Sequence, residues 1–194
     1  MNKETVISVT RWPVLILGNY RTGSNLVGRY LSKSYGAAWL NEPTRGNRLE
    51  KFLDFYNTGD KKFVLKIMPD QLGLLKETDD VYNSDCFKIK IKRKDTLKQI
   101  ISYYIAMMSD TWVQLSENRD PYYIPMDYKV LENAVEIIRK NNNFLDTTET
   151  KFDLELHYED LNLDTTGLSF YKTILPVNYE FIKEKIEIWY QNNG

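Results

Sequence analysis

The segment Gly18-Asn19-Tyr20-Arg21-Thr22-Gly23-Ser24-Asn25 has the makings of an anion cradle. Two glycines let a backbone turn tightly and approach a ligand. A helix beginning at Ser24 would add unpaired N–H groups and a partial positive charge, and Arg21 supplies a cation inside the loop. A phosphate or sulfate is the natural guest. Read alone, the same residues also make an ordinary glycine-containing turn capped by Ser24, since short motifs misfire often. A second candidate is Arg93-Lys94-Asp95-Thr96-Leu97-Lys98, which with Lys88, Lys90 and Lys92 forms the most basic stretch of the chain. Lys88, Lys90 and Lys92 read better as the solvated face of a half-buried strand than as ligand contacts. Other chemistries have little to work with. His157 is the only histidine and Cys86 the only cysteine, which argues against a Ser-His-Asp site, an intrachain disulfide or a Cys/His zinc site.

Something must hold these groups in place, and hydrophobic patterning supplies the elements. Pro13 to Leu17 is a continuous apolar run of the kind that forms a strand buried on both faces of a parallel sheet. From Ser24 the pattern turns helical, with Leu26, Val27, Tyr30 and Leu31 on one face. Ala37–Leu40, Phe63–Met68, Phe87–Arg93 and Phe152–Leu156 are further strands. Helices are expected over Leu49–Tyr56, Asp95–Met108, Tyr128–Lys140 and Tyr179–Tyr190. Strands alternating with helices imply right-handed crossovers and a mostly parallel sheet, with ligands beyond the carboxyl ends of the strands. Gly18–Asn25, Asn41–Pro43 and Arg93–Ser102 all fall at or just after strand ends.

The spacing Gly18-x-x-x-x-Gly23 matches the opening of a Walker A motif, but Ser24 stands at its lysine and Asn25 at its Ser/Thr. The Mg²⁺-holding hydroxyl is therefore absent from its usual place. With Arg21 before Thr22-Gly23-Ser24, the loop instead resembles the 5′-phosphosulfate loop of sulfotransferases that use 3′-phosphoadenosine 5′-phosphosulfate (PAPS). Arg93-Lys94-Asp95 continuing to Gln99-Ile100-Ile101-Ser102 is similar to the 3′-phosphate segment of that family's bacterial, trehalose-sulfotransferase-like branch. Asn41-Glu42-Pro43, Phe63–Met68 and Tyr158-Glu159-Asp160-Leu161 resemble further elements of that branch, in matching order.

The resemblance implies an α/β, three-layer P-loop-NTPase-like fold as one domain over residues 1–194. It implies PAPS as co-substrate, the bisphosphate PAP as product, and no metal. Arg21, Thr22, Gly23, Ser24 and Asn25 would hold the phosphosulfate, and Lys94 or Arg93 with Ser102 the 3′-phosphate. Tyr158 would lie near the adenine or, equally, be a core tyrosine at a strand end. Glu42 would be the general base, with Arg21 stabilising the leaving group while a hydroxyl attacks sulfur in line. The alternative for Glu42 is a solvated residue at a strand end, with Pro43 opening the next helix. Departures are Asn41 in place of glycine, no histidine at the position animal enzymes use, and only Lys172 as a weak candidate to close the nucleotide site.

The chain has 194 residues, 42% hydrophobic and 27% charged, with a net charge of -1, which suits a globular protein and opposes general nucleic-acid binding. Met1 to Arg11 has no apolar run fit for a signal peptide, and no stretch approaches the ~20 apolar residues of a membrane span, so a cytoplasmic location is expected. The acceptor is expected to be a small carbohydrate or other polar alcohol, with no nucleic-acid or membrane partner. Edge strands and Met107, Met108 and Trp112 could form a homodimer face, although their helical spacing suits a core better. Competing readings are a non-catalytic PAP-binding module and, behind it, a P-loop kinase.

Overall fold

The computed structural model describes residues 5–44, 48–110, 121–164, 166 and 175–193. The chain forms two compact units, residues 1–94 with 141–168, and residues 95–140 with 169–194. Lys172 and Trp112 lie outside the described residues.

The first unit is α/β. In chain order it holds β1 (Val14–Gly18), α1 (Ser24–Tyr35), β2 (Ala38–Asn41), α2 (Arg48–Thr58), β3 (Phe63–Ile67), α3 (Lys76–Asn83), β4 (Phe87–Lys92) and β5 (Leu154–His157). The strands make one five-stranded sheet of order β2-β3-β1-β4-β5 with every pairing parallel. Successive side chains of a strand point to opposite faces. Accordingly Val14 and Ile16 join one core with Val27, Leu31 and Ile89, while Leu15 and Leu17 join another with Phe52, Leu65 and Leu145. Helices thus cover both faces, and all of β1 is buried, as its unbroken apolar run requires.

Three expectations need correction. The short helix α3 was not expected, because only Thr78 and Val81 of its eight residues are buried and the rest give no apolar stripe. Pro43 does not open a helix; α2 begins at Arg48. Ser24 does not cap α1 either: the cap position is Gly23, with left-handed backbone and no side-chain bond, and Ser24 is the first helical residue.

The second unit is helical. It contains α4 (Thr96–Ser109), the amino-terminal part of α5 (Tyr128–Thr147) and α6 (Tyr179–Asn193). Asp95 caps α4 by accepting from the Lys98 N–H at 2.9 Å, and Asp127 caps α5 by accepting from Lys129 and Val130. The α5 helix runs past Lys140 to Thr147, so its last residues belong to the first unit. Among the described residues no helix is long and apolar enough to cross a membrane.

Candidate functional site

The sheet order has one switch point. The chain leaves β1 toward β2 on one side, and β4 leads to β5 on the other, so a crevice opens beyond the carboxyl ends of β1 and β4. The two segments expected to hold anions follow those two strands. Gly18 makes the close approach possible: a Cβ there would stand 2.5 Å from Ile91 Cγ2 on β4.

The loop from Asn19 to Gly23 is held by buried polar groups. Asn19 Oδ1 accepts from the Tyr20 N–H at 2.7 Å, and Thr22 Oγ1 donates to the Asn19 carbonyl at 2.8 Å. The end of α5 reaches in as well. Asn141 Nδ2 donates to Asn19 Oδ1 and to Asp70 Oδ1, and Asn19 Nδ2 donates to Asn142. Tyr20 anchors to the other Asp70 oxygen at 2.9 Å. Buried amides with several bonds are costly to disturb, so the loop is pre-shaped. Arg21 is in left-handed backbone (φ 60°) and Gly23 at φ 76°.

Arg21 and Arg93 meet at this crevice. Arg93 Nη1 donates to the Arg21 carbonyl at 3.3 Å. Burial, and then the Arg93 guanidinium, hold Arg21 below the ordinary arginine value, with Tyr158 pushing the other way. Two like charges half-enclosed beside a helix N-terminus favour a bound anion. Tyr158 follows β5 in a 3₁₀ turn, Tyr158–Asp160, and its ring lies against Gly23 and 5.2 Å from the Arg93 guanidinium. It is 39% exposed, so it is no core residue. Lys94 sits at the same strand end with its side chain paired to Asp160.

Glu42 is neither solvated nor alone. It is 7% exposed, has φ 49°, and its Oε1 lies 2.6 Å from Lys66 Nζ. Lys66 Nζ also donates to Asn25 Oδ1, in the first turn of α1, at 3.1 Å. An ion pair this buried persists only with good geometry and further hydrogen bonds, and Asn25 contributes one. Lys66 was not singled out in the sequence, although the signal is visible: one lysine inside the apolar run Phe63-Val64-Leu65-Lys66-Ile67-Met68. A buried lysine needs a partner.

The first unit therefore gathers Arg21, Thr22, Gly23, Ser24, Asn25, Glu42, Lys66, Arg93, Lys94 and Tyr158 at the carboxyl edge of its sheet. Ser102 stands in the second unit, half-buried in α4. Lys90 and Lys92 pair with Glu155 and Asp146, and Lys88 donates to the Ser84 carbonyl, so none of the three serves the crevice. A cavity of about 380 Å³ lined by Trp12, Tyr56, Phe63 and Asp80 opens at the opposite, amino ends of β1 and β3.

What these features define is a parallel α/β unit with an arginine-bearing, glycine-bounded loop at its switch point. No family model matches the chain, and no curated protein does. Among solved structures it is similar to shikimate kinase from Acinetobacter baumannii in complex with shikimate, at 11% identity and a TM-score of 0.40, over 94% of this chain and 95% of that chain.

Proposed function

We propose that the chain is a sulfotransferase that takes the sulfuryl group of PAPS to the hydroxyl of a small polar acceptor. The observation that carries this reading is the pairing of Arg21 with Arg93 across the β1/β4 crevice, next to the α1 N-terminus. One cradle can take the phosphosulfate, while Arg93 and Lys94 reach the 3′-phosphate of the same nucleotide.

The Glu42–Lys66–Asn25 array favours this over Mg²⁺-dependent phosphoryl transfer. Where a kinase loop places the metal-holding hydroxyl, this chain has Asn25, and the cation its oxygen meets is the Lys66 ammonium. In the proposed reaction the acceptor oxygen attacks sulfur and the S–O bond to the 5′-phosphate breaks. PAP departs with the electron pair, and the hydroxyl proton passes to Glu42. Arg21, Ser24, Asn25 and the backbone N–H groups of the α1 terminus offset charge growing on the leaving oxygen. Lys66 keeps Glu42 oriented between β2 and β3.

The test is thermal stabilisation by PAP against ATP–Mg²⁺, followed by transfer from labelled PAPS to a panel of sugars and alcohols. Stronger stabilisation by PAP, with transfer lost in E42Q and PAP binding retained, is the expected outcome. Stabilisation and turnover with ATP–Mg²⁺ and none with PAP would overturn the proposal. The buried Glu42–Lys66 pair also favours a second reading, a PAP-binding module without transfer, in which the pair is purely structural. That reading requires tight PAP binding and no product from any acceptor.

A further inference from the structure

Arg93 and Lys94, the cations that follow β4, already have acidic partners, and these come from one turn. Glu159 Oε1 stands 3.4 Å from Arg93 Nε, and Glu159 Oε2 accepts the Lys94 backbone N–H at 2.9 Å. Asp160 Oδ1 lies 2.6 Å from Lys94 Nζ. The same turn carries Tyr158 against Gly23 and beside Arg93. A three-residue segment thus lays two carboxylates across the donors that a phosphate group would use.

Resting on the nucleotide reading above, we infer that Glu159 and Asp160 are built-in counter-anions: they neutralise Arg93 and Lys94 in the free protein, and an incoming phosphomonoester binds by displacing them. The pairs are weak enough to yield. Lys94 and Asp160 are 53% and 59% exposed, where ion pairs hold little energy, and the more enclosed Arg93–Glu159 contact is long. A phosphomonoester brings nearly two charges and three strong acceptor oxygens, so it outcompetes two separate carboxylates. A singly charged phosphodiester or sulfate ester does not. The turn therefore selects for a terminal phosphate on the ligand.

This role and a merely supporting one differ in sign. If the carboxylates only hold Arg93 and Lys94 in place, neutralising them weakens binding; if they compete, binding tightens. E159Q, D160N and the double variant of the full chain retain hydrogen-bond acceptors, and melting curves of the free proteins check that each is folded. Titration calorimetry with PAP and with inorganic pyrophosphate reads affinity. The expected gain is about threefold for each single variant and about tenfold for the double, with both probes. Unchanged or weaker binding of both probes by the double variant overturns the counter-anions. Pyrophosphate binding that rises in the double variant, with PAP ignored throughout, keeps them and removes the sulfotransferase reading. PAP binding without a gain does the reverse, and no binding by any form overturns both.

Discussion

Replacing Gly23 by alanine asks whether the loop and the Tyr158 turn are one packed assembly. Gly23 has φ +76°, and a Cβ there would lie 2.3 Å from Cδ2 and 2.8 Å from Cε2 of the Tyr158 ring. Left-handed backbone costs an alanine about 1 kcal/mol or slightly more. Relieving the overlap costs about 1–3 kcal/mol, as overpacking generally does. The ring is 39% exposed and can swing outward, which places the second cost near its lower end. Swinging out also gives up the contact with Arg93, about 0.5–1 kcal/mol at a half-open site. The sum is about 2–3 kcal/mol, and with an m value near 2 kcal/mol/M the urea midpoint should fall by about 1–1.5 M. The Y158A background separates the parts. With the ring gone only the backbone cost remains, so G23A should there lose about 1 kcal/mol, a coupling of about 1–2 kcal/mol in the double-mutant cycle. Equal losses in the two backgrounds, or a G23A loss below about 0.5 kcal/mol, would refute the packing described at this turn.

K66M leaves the Glu42 carboxylate buried without its cation and should cost about 3–5 kcal/mol in calorimetric stability, with much of that regained in K66M/E42Q. Asn141→Ala removes donors to Asn19 and Asp70 and should cost about 1–3 kcal/mol by urea unfolding, with weaker PAP binding as the loop loosens. Burial pushes the Cys86 thiol up, against smaller opposing effects from Lys88 and Ser84. A disulfide reagent at pH 8 should therefore label Cys86 only once the protein is unfolded; rapid native labelling would contradict its buried place. The sign of the linkage follows: the unfolded thiol loses its proton first. Stability should be intact below the unfolded thiol's value and decline as pH rises through the raised folded one, a slope that C86A removes.

Strands β1 and β3 were legible because they are buried on both faces and announce themselves as apolar runs, and β4 because buried and half-buried residues alternate along it; all five strands appear within a residue or two of where patterning puts them. The end of α5 was not. Asn141-Asn142-Asn143 looks like a terminus, yet the helix continues because Asn141 finds partners on distant segments and Leu145 enters the core. The tight loop after β1 was visible in its two glycines, whereas the burial of Glu42 was not, because its partner Lys66 is on another strand. Nothing local in the sequence distinguishes Lys66 paired to Glu42 from any strand lysine except its apolar neighbours. The carboxylates after Tyr158 likewise gain meaning only when β5 is laid beside β4, which local patterning does not reveal.

The central strand of the sheet is also the first to be made, and both of its neighbours come much later. Val14–Gly18 pairs only with Phe63–Ile67 and Phe87–Lys92. At a ribosomal pace of about 5–20 residues per second, its most apolar segment waits roughly 4–15 s for the second neighbour to be synthesised. During that time Val-Leu-Ile-Leu is an open template for unwanted pairing, and parallel partners so far apart in sequence close slowly even afterwards. The nascent chain is thus expected to engage a holding chaperone at residues 14–17 and to release it once β4 has emerged.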